Sequence, residues 1–462
     1  MRHSETQAAA IYSYDRRRET SGAVWTDAHP DYSQPGRAVA TRNRYGSEKF
    51  RVTSYVVPTV LVVLWFVISP YVVSMRVLRY SFALRGVLLV LLTMDVLQKG
   101  RRPPMGMLPW VIAAGVAGDV QTGGMYVGTA KYAFDVLVSN IGLLILLSLH
   151  LISLNRLARA LRVLVLFVTV TVALMGLYQL YQGQLIGDFS EIADTGAMLS
   201  IETGRLCGLP YPSANQSGVA LLLALGIILG RLLTRPTVPY VALFCVNCMG
   251  LVLTYSRGGY IGFAVIVALV LFLAVRKRPG IRGISTGVVV GGVMTVLAVI
   301  VVVTQLKDTV DPDRLANPGT LLTRLELYAG AVRSKGNAFI GQGLARDLSD
   351  ASETVTSSYI TPHNFFLGWT VRFGWLPGLV LLGMLLAQMK RMAMYTYRGV
   401  EDPDQMAICT GIALALVGIV VASLSMVDSP YFVLLASTLS AAYLNDRRTG
   451  AVPADLRARA SR

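Results

Sequence analysis

From about residue 52 onwards the chain alternates long apolar runs with short polar turns. A bilayer crossing needs about 20 predominantly apolar residues in a helix, and by that measure the pattern predicts about twelve spans. They fall at residues 54–70, 80–98, 105–119, 133–153, 162–181, 214–232, 238–255, 258–275, 284–304, 363–388, 406–425 and 429–444. The fold class is therefore all-α, a polytopic membrane protein. One polar, turn-rich segment, residues 305–362, breaks the alternation between the ninth and tenth spans.

This divides the chain into five parts: a tail (1–51), spans one to nine (52–304), a large extracytoplasmic loop (305–362), spans ten to twelve (363–445) and a basic tail (446–462). The first tail is polar and lacks an apolar run, which argues against a secretory signal peptide at the start. It reads as a disordered cytoplasmic arm. Within the large loop, Asn317-Pro318-Gly319-Thr320 opens a helix and Thr323 with Glu326 has capping-box spacing. Leu321, Leu325, Tyr328 and Val332 form one stripe, so this helix lies on the membrane surface or on the spans.

Composition agrees with the pattern: 54% of residues are hydrophobic and 15% charged. The net charge of +16 would suit a nucleic acid, but most of the charges sit in alternate short loops. With the first tail inside, the inner loops hold Lys99, Arg101 and Arg102; Arg156, Arg159 and Arg162; Arg231 and Arg235; Arg276 to Arg282; and Lys390, Arg391 and Arg398. The last tail, also inside, adds Arg447, Arg448, Arg457, Arg459 and Arg462. That is the positive-inside distribution, and it accounts for the charge without nucleic acid. Cys245-x-x-Cys248 lies inside an apolar run and reads as packing rather than zinc or redox chemistry.

The exceptions to the charge rule are the informative positions, apart from Arg76, Arg79 and Arg85 near the first outer turn, which read as interfacial salt bridges or snorkelling side chains. Arg205 is the one basic residue of the acidic outer loop 182–213, and Arg257 stands in the outer turn Thr254-Tyr255-Ser256-Arg257-Gly258-Gly259. Each has a plain alternative as an interfacial salt bridge or snorkelling side chain. Their surroundings favour an anion site. Ser213 or Asn215 is placed to cap the sixth span, Ser256 the eighth, and Thr361-Pro362 has the chemistry of a cap and first helical residue for the tenth. These three spans run from outside to inside, so their positive ends face outward.

Arg324 lies off the loop-helix stripe, and two readings stand for it: a solvated charge or a contact to the same anion. Asp311-Pro312-Asp313 imitates a metal-binding Asp-x-Asp, yet acids flanking proline are more often a turn. Of four histidines, only His363 stands where a loop meets a new span, followed by Asn364.

The ordered set Arg205, Gly208, Pro212 and Asn215, then Ser256-Arg257-Gly258, then Arg324 before Gly341-x-Gly343, then His363-Asn364 followed by Gly374 and Gly378, resembles the O-antigen ligase and polymerase superfamily. The likeness covers roughly residues 200–390, and the layout of spans extends it. Arg372 departs from it, since many relatives have an acidic or neutral residue there. The resemblance implies a bacterial inner-membrane enzyme with cytoplasmic termini and an extracytoplasmic active site. It implies transfer of a glycan from a polyprenyl-pyrophosphate carrier to a glycan or lipid acceptor, with no cofactor and no metal. It gives Arg205, Arg257 and Arg324 to the pyrophosphate and His363 to activation of the acceptor hydroxyl, with Asn215, Ser256 and Asn364 in support.

Two other classes answer to the same spans. A transporter of an envelope precursor or small anion predicts ionisable groups or broken helices near mid-membrane; a scaffold of a glycan-export assembly predicts no chemistry of its own.

Overall fold

The computed structural model describes Met94 and residues 154–184, 201–208, 213–275, 364–398, 402–424, 433, 435–437 and 439–444, all within the unit Val52–Arg462. Among them every regular element is helical. The expected first, third, fourth and ninth spans, both tails and the 305–362 loop lie outside the described residues, as do Arg324, His363 and the side chain of Arg372.

The helices are α1 (Leu154–Val168), a π-helical turn (Thr169–Leu174), α2 (Met175–Gln182), α3 (Ala214–Thr234), α4 (Val238–Leu253), α5 (Arg257–Val275), α6 (Phe365–Phe373), α7 (Trp375–Arg398) and α8 (Pro403–Ser423). A short apolar helix, α9, covers Leu435–Leu444. Three stretches are long and apolar enough to cross a bilayer: Leu157–Gln182, Ala214–Thr234 and Pro403–Ser423. A helix that is apolar all round is one surrounded by protein or lipid. For α3 the surroundings are protein, because every residue from Ser217 to Thr234 is buried among α1, the π turn, α4, α5 and α8.

Small residues set the closest of these contacts. Gly226 and Gly230 present one bare face of α3 to α8: a Cβ on Gly226 would come within 2.5 Å of the Ala415 backbone nitrogen, and one on Gly230 within 2.4 Å of that of Gly411. Where lipid tails are as apolar as the helices, close backbone packing takes over from the hydrophobic effect as the force between them. Gly262 brings α5 to α8 in the same way, against the carbonyl of Gly418 at 2.6 Å. The outward stripe Leu166, Val170, Leu174, Tyr178 and Tyr181 recurs about once per turn and is exposed; in a membrane protein such a stripe meets acyl chains.

These contacts fix which helix ends meet. Pairing Gly230 with Ala407 and Gly411, and Gly226 with Ala415, makes α3 and α8 antiparallel, so the start of α3 lies beside the end of α8. Gly262 against Gly418 and Ala422 brings the start of α5 to that end too. At the other end Arg231, in the last turn of α3, donates to Asp404 at 2.5 Å, and Arg235 donates to its second oxygen at 3.1 Å.

Three expectations need correction. The tenth span, expected as one helix over 363–388, is two helices broken at Gly374, which sits at φ 94°. The cause is Pro377: it has no N–H for the carbonyl of Phe373, and its ring would strike that carbonyl in a continuous helix. The cap expected at Thr361 is made by Asn364, so the helix starts at Phe365. The fifth span, expected from 162, is already helical at Leu154 and contains the π turn.

Candidate functional site

Arg205 lies in a stretch threaded between helices. Gly204, at φ 69°, turns the chain out of a short helical segment, and residues 205–208 then bond to three helices in succession. Leu206 N donates to Leu253 O at 2.7 Å, Gln179 Nε2 donates to Cys207 O at 2.7 Å, and Gly208 N donates to Ser217 Oγ at 3.0 Å. Gly208 is required here, because a Cβ would fall 2.4 Å from the Val172 backbone in the π turn. Thr169 and Thr171 donate back to the carbonyls four residues earlier at 2.8 Å, a habit that bends helices. Asn247 of α4 anchors the turn by donating to Thr169 Oγ1 at 2.8 Å.

So held, Arg205 reaches both neighbouring helices. Its Nε donates to Thr254 O at 3.0 Å and its Nη2 to Asn215 Oδ1 at 2.9 Å. A guanidinium has five donors in a rigid plane, and these two bonds orient that plane. Asn215, weighed as a cap for the sixth span, serves instead as the acceptor for Arg205; Ser213 caps α3, accepting from Gln216 N at 3.3 Å.

The turn from α4 to α5 carries the next candidates. Thr254 Oγ1 donates to Leu251 O at 2.7 Å and accepts from Ser256 N at 3.3 Å. Ser256 is buried, and its Oγ accepts from Gly259 N at 3.4 Å, capping α5 as expected. A Cβ on Gly218 would stand 3.2 Å from Ser256 Cβ, so the first turn of α3 and the cap of α5 are in contact. Arg257 is the first residue of α5 and half-buried.

Asn364 joins the same end of the bundle. Its Oδ1 accepts from Phe366 N at 3.0 Å and Leu367 N at 3.2 Å, while its Nδ2 donates to Leu424 O at 3.1 Å, just beyond α8. A carboxamide can cap one helix and donate to the end of another at once; a Thr361 hydroxyl has less to offer. The starts of α3, α5 and α6 and the ends of α2, α4 and α8 therefore meet, with Arg205, Asn215, Ser256, Arg257 and Asn364 among them. Exposed N–H groups and positive dipole ends at three helix starts make such a place favourable to an anion.

Sequence reasoning missed Gln179, Ser217 and Thr254, which hold Arg205 in place. Gln179 had a signal, a polar side chain in an apolar span. Burial pushes the Cys207 thiol up to about 12, against the opposing pull of a hydrogen bond with Ser217 and the charge of Arg205.

A family model described as O-antigen ligase matches residues 240–383. No curated protein and no solved structure matches the chain. The match and the apolar helices together make this a membrane enzyme acting on cell-surface polysaccharide. Ser256, Arg257, Arg324, His363 and Asn364 fall inside the matched segment; Arg205 and Asn215 fall before it and are joined to it through Thr254.

Proposed function

We propose, for a chain whose residues 240–383 match the O-antigen ligase family model, that it transfers a glycan from a polyprenyl-pyrophosphate carrier to an acceptor hydroxyl at the outer face of a bacterial inner membrane. The observation that carries this reading is the bond from Arg205 to Thr254, three residues before Arg257, at an end of the bundle where three helices start. Two guanidiniums from separate segments then serve one diphosphate, with Arg324 as a third.

In the reaction the acceptor oxygen forms a bond to the anomeric carbon as the bond from that carbon to the diphosphate breaks. The electron pair leaves with the diphosphate, and fixed cations stabilise the charge as it develops. The acceptor proton passes to His363, an imidazole being suited to taking a proton from a hydroxyl near neutral pH. Attack opposite the leaving group inverts the anomeric centre. Asn215 orients Arg205, Ser256 starts the helix that carries Arg257, and Asn364 fixes the helix start that follows His363. No metal is needed for charge that arginines already meet.

The break at Gly374 is a feature that a transporter would also use. It lies one short helix from Asn364, however, and the contacts of Arg205 with Asn215 and of Asn364 with Leu424 O are made at helix ends. The test is made in cells: His363→Ala and Arg257→Ala, at equal expression, are expected to accumulate lipid-linked glycan. Normal glycan transfer in both variants would remove the proposal.

A further inference from the structure

The end of the bundle away from Arg205 has a cavity that the proposed reaction does not use. It lies among α1, α3, α4 and α8, has a volume of about 240 Å³, and is walled by Leu161, Val165, Ile227, Leu243 and Ile408. On α1 the lining positions Ala158, Leu161, Arg162, Val165 and Leu166 follow the three-and-four spacing of a single helix face. Leu166 is also the first residue of the exposed stripe that runs on through Val170 and Leu174, so the cavity opens onto the surface that meets acyl chains. That continuity selects the occupant, because an apolar wall reached from the lipid takes a length of acyl chain.

Charge marks the rim. Arg162 is exposed, lines the cavity, and pairs with no carboxylate among the described residues. Arg231 lines it too, but its charge is engaged by Asp404, which also accepts from Arg235. Asp402, the cap of α8, is the other acid beside this cluster. Three guanidiniums against two carboxylates leave one positive charge, and Arg162 presents it. Arg159, also exposed, adds to the charge of α1 without lining the cavity. Tyr240, in the first turn of α4, completes the rim; tyrosine and arginine at the edge of an apolar wall are the pattern of a headgroup level. By the basic-loop expectation this is the inner end, where basic pockets between spans receive anionic headgroups.

We propose that this cavity holds an anionic glycerophospholipid of the surrounding leaflet, with one acyl chain against the apolar wall and its phosphate accepting from the Arg162 guanidinium. The site is separate from the transfer reaction: Arg231 is in the last turn of α3, whereas Arg205 bonds to Asn215 in its first.

In the experiment, purified full chain in non-denaturing detergent is titrated with phosphatidylglycerol and, separately, with phosphatidylcholine of the same acyl chains. Native mass spectrometry counts the bound lipid for wild type, Arg162→Ala, Arg159→Ala and Ala158→Phe, and melting temperatures are taken without added lipid. Wild type is expected to bind phosphatidylglycerol at least about fivefold more tightly than phosphatidylcholine, the scale of one interfacial arginine. Arg162→Ala is expected to lose that preference and Arg159→Ala to keep it, both with wild-type melting. Ala158→Phe fills the cavity and is expected to weaken both lipids at an unchanged or higher melting temperature. Equal affinity for the two lipids in wild type, or an unchanged preference in Arg162→Ala, overturns the proposal. Equal losses in the two arginine variants, the mark of general surface charge, overturn it as well. So does wild-type binding by Ala158→Phe at wild-type melting; if that variant melts lower, the two arginine variants decide alone.

Discussion

Arg205 and Asn215 stand ten positions apart across a proline-rich turn, yet their side chains meet at 2.9 Å, guanidinium to carboxamide. The contact fixes the plane of the guanidinium without cancelling its charge. Asn215→Asp is expected to keep the contact and neutralise the cation. Donor KM should rise about tenfold or more, the scale of one charged hydrogen bond, while the melting temperature stays at or above that of wild type. An unchanged KM would mean that the charge of Arg205 is not used on the donor.

Asn364 performs two tasks that substitutions can separate. Asn364→Ala removes the cap of α6, worth about 1 kcal/mol, together with the bond to Leu424 O. Asn364→Asp restores the cap but turns an acceptor towards that carbonyl. Thermal melting should place both variants below wild type, and a transfer assay should do the same, because His363 immediately precedes this residue. Wild-type melting in Asn364→Asp would show that the tie to α8 is dispensable.

The α3–α8 contact tests what holds the bundle together. Gly226→Leu places a branched side chain where even a Cβ would lie 2.5 Å from backbone, a case of overpacking that ordinary rotamer shifts cannot relieve. The expected result is loss of monodisperse protein after detergent extraction, with Gly226→Ala intermediate. Normal yield and melting for the leucine variant would mean that α3 and α8 are further apart than described.

Cys207 should be chemically silent in the folded protein. Its thiol is raised to about 12 by burial, whereas an unfolded thiol ionises near about 8.5. The stability linked to this group is therefore complete below about pH 8.5 and is lost as pH rises towards about 12. Maleimide labelling at pH 8, mapped by peptide mass spectrometry, should reach Cys207 only after denaturation. Prompt labelling of native protein would contradict its burial.

Much of this was legible in the residues themselves. Continuous apolar runs located α3, α4, α5 and α8 to within a few positions, because a buried or lipid-facing helix leaves an unambiguous hydropathy signal. Ser213 and Ser256 were readable as caps. The choice of Asn364 over Thr361 was not, since both have capping chemistry and only Leu424, 60 positions away, decides between them. The Gly374 break was visible as glycine followed by Pro377, but a hydropathy window averages across it. The π turn and the left-handed Tyr255 depend on tertiary contacts that leave no local pattern. Gly226 and Gly230, four apart in an apolar helix, were a signal available and unused. For the site, the types and order of residues pointed to an anion, while the partners that aim Arg205 come from three other helices.

The most direct test is a reconstituted assay: purified chain, a defined polyprenyl-pyrophosphate-linked glycan, an acceptor glycan or lipid, and a chelator, with products read by mass spectrometry. Wild type is expected to release polyprenyl diphosphate and form one new glycosidic bond per donor consumed, and His363→Ala and Arg257→Ala to form none above background. Product formation by those two variants at the wild-type rate, or none by the wild type with any lipid-linked donor, would contradict the assignment.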